Sequence, residues 1–557
     1  VGEALPGAVA IRRRLFSRPA EAPFLSLSTP NAVERLGWAE FWSRVDGYAS
    51  AISLATRPDD FILIMCRTRT DAIAFFFAAI CTGRLVSFFP PPNRVQDEAF
   101  YRSQQSASIA RIAPDLIVTF DEASAAMVRE IGFHDAWRAF EAPPPGDWRA
   151  AIEAFAARLE GEGPALFVQH SSGTTGVKKA VVVTTSMMRA QFAAYWEAAI
   201  ELLAPEPRIA SWLPLYHDMG LVATLILPTM AACEIALLDP FTWVEAPQIL
   251  FDVIAREQSN LVWMPNFAFR HYVRVGRVLR ASDLSSVRAW IDCSEPCRAV
   301  DAEAFEQHFA GMGARPESVV GCYAMAESVF AVSQGAPSHR AILRVSFEQT
   351  IGQAVQPGDN AVLSSGSVLP GLEIALFAGD ARIADDCYGE IAIRGDCVFG
   401  GYRRMAPADS NIRSDGFFLT GDLGTLRDGD LFVFGRQNET IIVNGKNIFA
   451  GDVEAAIGGI EGLKAGRLVV FGVDNPLSGS EDLVVVAERD PSWTTGRDDR
   501  AIVSEVTRLI KAAFLVSPRA VKLVEDRWLA KTTSGKISRA ENRLKYLREL
   551  HADPAKT

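Results

Sequence analysis

The run SSGTTGVKKA, Ser171 to Ala180, decides how the rest of the chain is read. Gly173 and Gly176 let the backbone turn without a Cβ penalty, so successive N–H groups can face one anion. Ser171, Ser172, Thr174 and Thr175 add hydroxyl donors, and Lys179 adds charge. Such a set suits the phosphates of a nucleotide. The spacing is not GxxxxGK[ST], because no glycine precedes a Lys-Ser or Lys-Thr pair at the required distance, so a P-loop NTPase is not indicated. Read locally, the same residues also suit a polar hairpin between the apolar runs ALFV (Ala165 to Val168) and AVVV (Ala180 to Val183).

Composition bounds the answer. A chain of 557 residues exceeds the size at which one core stops growing, so two or more domains are expected. Apolar residues make up 49% and charged residues 22%, with no short-period repeat, which is the balance of a globular enzyme. The eight cysteines form no CxxC pair, and Cys293 and Cys297 have no His at zinc spacing. Neither a disulfide frame nor a metal cage is expected, and a reducing cytoplasm fits. Arg12, Arg13 and Arg14 follow an apolar stretch, the reverse of a secretory signal, so no export is expected. Gly220 to Leu238 is long enough to imitate a membrane span, but Pro228 and Glu234 favour a buried helix, a turn at Pro228 and a core strand. The net charge of -11 excludes a generally basic nucleic-acid binder. From Thr440 onward 18 Lys and Arg stand against 16 Asp and Glu, a net of +2, which leaves -13 in the first 439 residues.

Short apolar runs alternate with helical patterns from the start: FILIMC at Phe61, a helix-like DAIAFFFAAICTG ending at Gly83, then LVSFF. The rhythm continues through LIVTF, RIASWLP, SNLVWMP and SVRAWIDCSEP, which predicts βα units and a large, partly parallel sheet. After Val362 short strands and Gly turns predict a small antiparallel sheet or barrel, a lid rather than a core. From Thr440 the patterns predict a compact α+β unit, and RQNET, Arg436 to Thr440, reads as a hinge or as a plain hairpin turn. The expected fold is therefore α/β, with residues 1–436 as a large N-terminal domain and residues 437–557 as a small, mobile C-terminal one.

Five further segments accompany the phosphate loop in order: SWLPLYHDMGL, CYAMAES, LTGDLG, GRQNETIIVNGKNIFAGDVE and KTTSGKISR. Together they resemble the adenylate-forming superfamily of acyl-CoA synthetases, peptide-synthetase adenylation domains and luciferases, over nearly the whole chain. PLYHDMGL, MPNFAF, DLSSVRAWIDCSEPCRAV and VLSSGSVLPG look like fatty acyl-AMP ligases, the branch that passes acyl groups to carrier proteins. The 34 residues between Glu327 and Val362 resemble that branch's longer connector, which in the family restrains the small domain.

The chemistry implied is difficult: a carboxylate anion must approach an already anionic α-phosphate, so cations and N–H groups must surround the phosphates. By resemblance ATP and Mg²⁺ are the cofactors. The loop from Ser171 to Lys179 would hold the pyrophosphate portion and Glu327 the Mg²⁺. Ser294, Glu295 and Pro296 with Tyr323, Ala324 and Met325 would form the adenine shelf, and Asp422 and Arg436 would hold the ribose. Lys536 is the expected catalytic cation, delivered by the small domain about a hinge at Glu439. His217 and Asp218 would border the acyl carboxylate; Trp263, Phe267 and Cys293 are candidate walls of the acyl pocket, with core packing as the alternative.

His170, Lys178, Ala180, Ala324 and Asn438 depart from the family's usual residues, and the departures near the pocket suggest a short, functionalised or aromatic acid. The expected partners are that acid and an acyl carrier protein with its phosphopantetheine arm, with no nucleic acid and no membrane span. An acyl-CoA synthetase, with Asn444, Gly445 and Lys446 on the thiol approach, an amino-acid-activating domain and an inactive adenylation-like scaffold remain as alternatives.

Overall fold

In the computed structural model the described residues are all but 1–5, 93–97, 134–136, 140–141, 162, 172–178, 347–348, 407–409, 444–445, 476–479, 491–497, 532–535 and 553–557. A 14-stranded mixed sheet forms the frame. Its centre is parallel: Pro23–Ser28, Glu234–Leu238, Arg208–Ser211, Leu261–Met264, Ala289–Cys293 and Val319–Ala324 lie side by side. These strands are near-continuous apolar runs because helices cover both faces, and all four residues of Leu261–Met264 are fully buried. A second, four-stranded parallel sheet, Leu85–Phe89, Phe61–Met65, Leu116–Thr119 and Trp137–Ala139, carries the first βα units. The predicted helix after it spans Thr70–Cys81 and ends at Gly83, whose φ of +79° is the left-handed conformation that terminates a helix at low cost.

Two expectations are corrected. The strands after Val362 neither close a barrel among the described residues nor form a lid. Phe418–Arg427, Asp430–Arg436, Gly389–Gly395 and Leu372–Ala378 extend the main sheet in antiparallel order, and Ile391 and Ile393 belong to its core. Pro228 is no turn: a π-helical stretch, Met219–Ile226, continues into Leu227–Met230 with Pro228 inside its first turn. The helical run is continuous, so the missing Pro228 N–H falls just past the point where the π pattern gives way to the α pattern, a local irregularity of the kind that accommodates an interior proline.

Residues from Ile441 onward pack around two cores of their own, one of them built from Ile448, Val453, Val485 and Val506, the other from Phe471, Val484 and Tyr546. A three-stranded sheet, Leu463–Asn475, Ser480–Arg489 and Ala520–Val524, is flanked by Ala450–Ile457, Asp499–Phe514 and Arg539–Ala552. The hairpin reading of RQNET fails. A single 3₁₀ turn, Gln437–Glu439, leads out of Asp430–Arg436 into Thr440–Val443, which pairs with Lys446–Phe449 and not with the strand before it. The two units meet closely: Phe449 packs among Leu343, Val345, Val355, Tyr388 and Phe434, and Arg298 forms a buried ion pair with Asp452 at 2.7 Å.

Candidate active site

Parallel sheets place functional loops beyond the carboxyl ends of their strands. Three such loops converge here. The first follows Arg208–Ser211 and carries His217 and Asp218. Gly220 is required in it, since a Cβ would collide with the Pro214 carbonyl. Asp218 begins the π-helical stretch and accepts from the Met219 amide at 2.8 Å, and its Oδ1 lies 2.5 Å from His217 Nδ1. Burial pushes the Asp218 carboxyl up, but the His217 ring, the Met219 amide and the Lys536 ammonium outweigh it and hold the group below the usual carboxylate range.

Lys536 comes from the C-terminal unit, 242 residues beyond Ser294, yet its Nζ donates to the Ser294 carbonyl at 2.8 Å. Ser294 follows Ala289–Cys293 with φ +71°, a left-handed backbone rare for a serine, and its oxygen is thereby turned to the ammonium. Glu295 Oε1 lies 3.9 Å from the same Nζ, while Oε2 accepts from the Phe267 amide at 2.9 Å. Pro296 is half-buried beside them. Behind this turn Asp292 is wholly buried. It accepts from Asn266 at 2.8 Å, and burial holds its carboxyl well above the ordinary range.

Tyr323, Ala324 and Met325 end the next strand, Val319–Ala324. The Tyr323 hydroxyl donates to Asp422 Oδ2 at 2.7 Å, and Arg436 Nε lies 3.0 Å from Asp422 Oδ1. Asp422 and Arg436 are direct cross-strand partners in the antiparallel pair, so the sheet register sets their ion pair. The Asp422 charge raises the Arg436 guanidinium beyond its already high range, against burial. Next to the 3₁₀ turn, Glu439 pairs with Arg539 at 3.1 Å.

Glu327, 8% exposed, sits on a short 3₁₀ turn, Ala326–Ser328, and accepts from the Tyr402 hydroxyl at 2.6 Å. Lys179 Nζ lies 4.6 Å from the centre of the Tyr402 ring. Ser171 and Lys179 are register partners at the end of the hairpin Ala165–Ser171 and Lys179–Thr184. Ser172, Gly173, Thr174, Thr175 and Gly176, with Lys178, lie outside the described residues, as do Asn444 and Gly445. Among the described residues no group of three or more His, Cys, Asp or Glu could hold a metal alone. One buried carboxylate at the base of an anion loop suits a hard cation that arrives on phosphate oxygens.

The pocket-wall candidates are drawn into the core. Trp263 and Cys293 are fully buried, and Phe267 is partly so. Trp263 Nε1 donates to the Tyr195 hydroxyl at 2.8 Å, which donates to Gln334 Oε1 at 3.0 Å, so Trp263 is held in a buried, polar-bonded chain. His170 is also engaged, with Nε2 2.8 Å from Ser87 Oγ. Tyr195, Tyr402 and Arg298 escaped the sequence reading: Tyr195 and Tyr402 belong to none of the quoted motifs, and Arg298, inside DLSSVRAWIDCSEPCRAV, has its partner Asp452 far along the chain.

Residues 12–403 match the AMP-binding enzyme family. A putative acyl-CoA synthetase of Caulobacter vibrioides is 27% identical over 519 residues, covering 90% of this chain and 88% of that protein. A long-chain-fatty-acid–AMP ligase, FadD32, of Mycolicibacterium smegmatis is 28% identical over 596 residues, covering 94% and 91%. Among solved structures, one from structural and functional studies of fatty acyl-adenylate ligases from E. coli and L. pneumophila superposes with a TM-score of 0.84 at 23% identity, covering 98% of each chain. The McyG A-PCP structure complexed with phenylalanyl-adenylate gives 0.81 at 17% identity, covering 100% of this chain and 98% of that one. With that family match over most of its length, and with the α/β frame of adenylate-forming enzymes, the chain belongs to the AMP-binding enzyme family.

Proposed function

We propose that this chain activates a carboxylic acid with ATP to an acyl-adenylate and then delivers the acyl group to the phosphopantetheine thiol of an acyl carrier protein. In the first step a carboxylate oxygen attacks the α-phosphorus, the bond to the β-phosphate breaks and pyrophosphate leaves. In the second the thiol attacks the mixed anhydride, loses its proton and expels AMP. The observation that carries the reading is the meeting of the Lys536 ammonium with Ser294, Glu295 and the field of Asp218. A mobile point charge at that place offsets the repulsion between carboxylate and α-phosphate in the transition state.

The remaining roles follow from chemistry. Ser171 to Gly176 with Lys179 would hold the leaving pyrophosphate, and Glu327 would hold Mg²⁺, which supplies charge neutralisation between phosphate oxygens. Asp422, already gathering donors from Tyr323 and Arg436, would accept from the ribose diol. Ser294 to Pro296 and Tyr323 to Met325 would line the adenine, and His217 with Asp218 would border the acyl carboxylate. Residues 1–436 act as the adenylating body and 437–557 as the moving part, turning at Glu439; separate cores on the two sides support that division. Phe449, packed against Leu343, Val345 and Val355, supports restraint by the connector.

The acid is a fatty or modified one, and the buried chain of Trp263, Tyr195 and Gln334 supports a short, functionalised or aromatic acid over a plain long chain. Eight unpaired thiols, and the absence among the described residues of any helix long and apolar enough to cross a membrane, fit a cytoplasmic setting. FadD32 bears the name of an AMP ligase, and the Caulobacter relative bears that of an acyl-CoA synthetase, which keeps coenzyme A as the second thiol acceptor.

The test is ATP-dependent pyrophosphate release across an acid panel, followed by thiol transfer comparing a holo carrier protein with coenzyme A. Release with a preferred acid and faster transfer to the carrier are expected. Equal or faster transfer to coenzyme A would replace the carrier reading with the synthetase one, and no release with any acid would end the enzymatic reading.

A further inference from the structure

One aromatic side chain touches both charged groups at the mouth of the phosphate loop. Residues 399–403 cross the base of the hairpin that carries this loop: the Phe399 amide donates to the Glu327 carbonyl at 2.8 Å, and the Arg403 amide donates to the Ala180 carbonyl at 2.9 Å. Between these anchors Tyr402 forms an isolated antiparallel bridge with Val181, and its own amide donates to Ser410 Oγ at 3.4 Å. Its ring is 9% exposed and packs edge-on against Phe399 at 4.8 Å. The hydroxyl donates to Glu327 Oε1 at 2.6 Å, and the ring face lies 4.6 Å from Lys179 Nζ. On the opposite side Gln169 Nε2 donates to the Ala326 and Val329 carbonyls at 2.7 and 2.9 Å, so the turn bearing Glu327 is tied to the other strand of the same hairpin.

We propose that Tyr402 is a positioning residue: its hydroxyl sets the rotamer of Glu327 and its ring sets the height of Lys179. The carboxylate and the ammonium then meet a metal-bound triphosphate already oriented. This rests on the adenylation reading for its chemistry. The physical reason is preorganisation. A free glutamate would sample several rotamers, and a free lysine more, and each must be ordered when the nucleotide binds. A short bond from a phenol to a carboxylate and a cation held over an aromatic face remove much of that cost beforehand. Partners that orient a metal-binding carboxylate act on metal affinity without touching the ion.

The experiment is calorimetric ATP binding to the full chain, with Mg²⁺ and with chelator, for wild type, Tyr402→Phe, Glu327→Gln and the double variant. Tyr402→Phe keeps the ring under Lys179 and removes only the hydroxyl. Its magnesium-dependent gain in ATP affinity is expected to fall about tenfold, as for other groups that orient a metal ligand, while metal-free ATP affinity holds. In the Glu327→Gln background the same substitution is expected to change little, since the group it orients no longer serves the ion. KM for ATP should rise in the magnesium-limited range with KM for the acid unchanged. An equal loss with and without magnesium, no loss at all, full additivity of the two substitutions, or failure of Tyr402→Phe to fold would each overturn the positioning role. So would a wild type whose ATP affinity ignores magnesium. If no acid supports pyrophosphate release but the magnesium effect appears, the adenylation reading fails and the role of Tyr402 in holding the nucleotide stands.

Discussion

Lys536→Ala separates catalysis from architecture because the side chain does little for the fold where it stands. Its ammonium makes one hydrogen bond to a carbonyl, that of Ser294 at 2.8 Å, and a looser approach to Glu295 at 3.9 Å, with 28% of the side chain exposed. Partly solvated contacts of this kind stabilise by about 1 kcal/mol or less. In the proposed transition state the same charge would face a carboxylate joining a phosphate. Removing one preorganised donor from such a site costs about 3 kcal/mol, or roughly 10²-fold to 10³-fold in rate. Barrier height therefore dominates, and the variant should remain folded and nearly inactive. The assay is acid-dependent pyrophosphate–ATP exchange, run beside calorimetric ATP binding and a thermal melt. Exchange should fall by at least about 100-fold, with ATP affinity of the large domain and the melting midpoint close to wild type. Thiol transfer from a pre-formed acyl-adenylate should persist, because the lysine acts before that step. Exchange within a few-fold of wild type would remove Lys536 from its role, and a loss of ATP affinity matching the loss of rate would make it a nucleotide-binding residue instead.

Arg298→Ala leaves the buried Asp452 carboxylate unpaired across the interface between the two units, which should weaken the present arrangement by about 3 kcal/mol. Adenylation should drop more than tenfold and transfer from pre-formed adenylate should not; a matched fall in both would mean that the pair serves folding alone. Trp263→Ala opens a buried space and should shift the acid panel toward longer chains by two or more carbons, with about 3 kcal/mol or more of lost stability from the cavity; an unchanged preference would place the acyl group elsewhere. Asp292→Asn tests a pH dependence. Burial raises the Asp292 carboxyl, so the folded state holds its proton more tightly than the unfolded chain does. The stability this contributes is present below the ordinary carboxylate range and is lost as pH climbs through the raised value. The variant should gain on wild type as pH climbs through the window above the ordinary carboxylate range, read as a widening difference in melting midpoint. A constant difference would show that Asp292 does not titrate in that window.

Several segments of the candidate site were legible because each is local. The hydroxyl-and-glycine loop, YHDMG, YAMAE, TGD and the final TSGK each announce themselves within a few residues, and the apolar runs between them reveal the βα frame. Where reading failed, the cause was long-range pairing. Alternation correctly marked Gly389–Gly395 and Phe418–Arg427 as strands, but nothing within a strand says whose edge it joins, so a closed lid was expected where the main sheet continues. Pro228 was read as a turn because a regular helix interior rejects proline; here it follows a π-helical stretch, which no local sequence pattern announced. Tyr402 stayed invisible because its meaning depends on Glu327, 75 residues earlier.

By itself, then, the amino-acid order determined the family resemblance and the βα frame, and offered the kinds of group proposed to meet the nucleotide, since these are properties of short segments and of their succession. Only the tertiary structure decided which groups share one place. It brought the Lys536 ammonium to the Ser294 carbonyl, paired Asp422 with Arg436 across a sheet, and bonded Trp263 to Tyr195 in the core. Distance along a chain does not constrain distance in space once a core forms, and charge, burial and hydrogen bonding act through space.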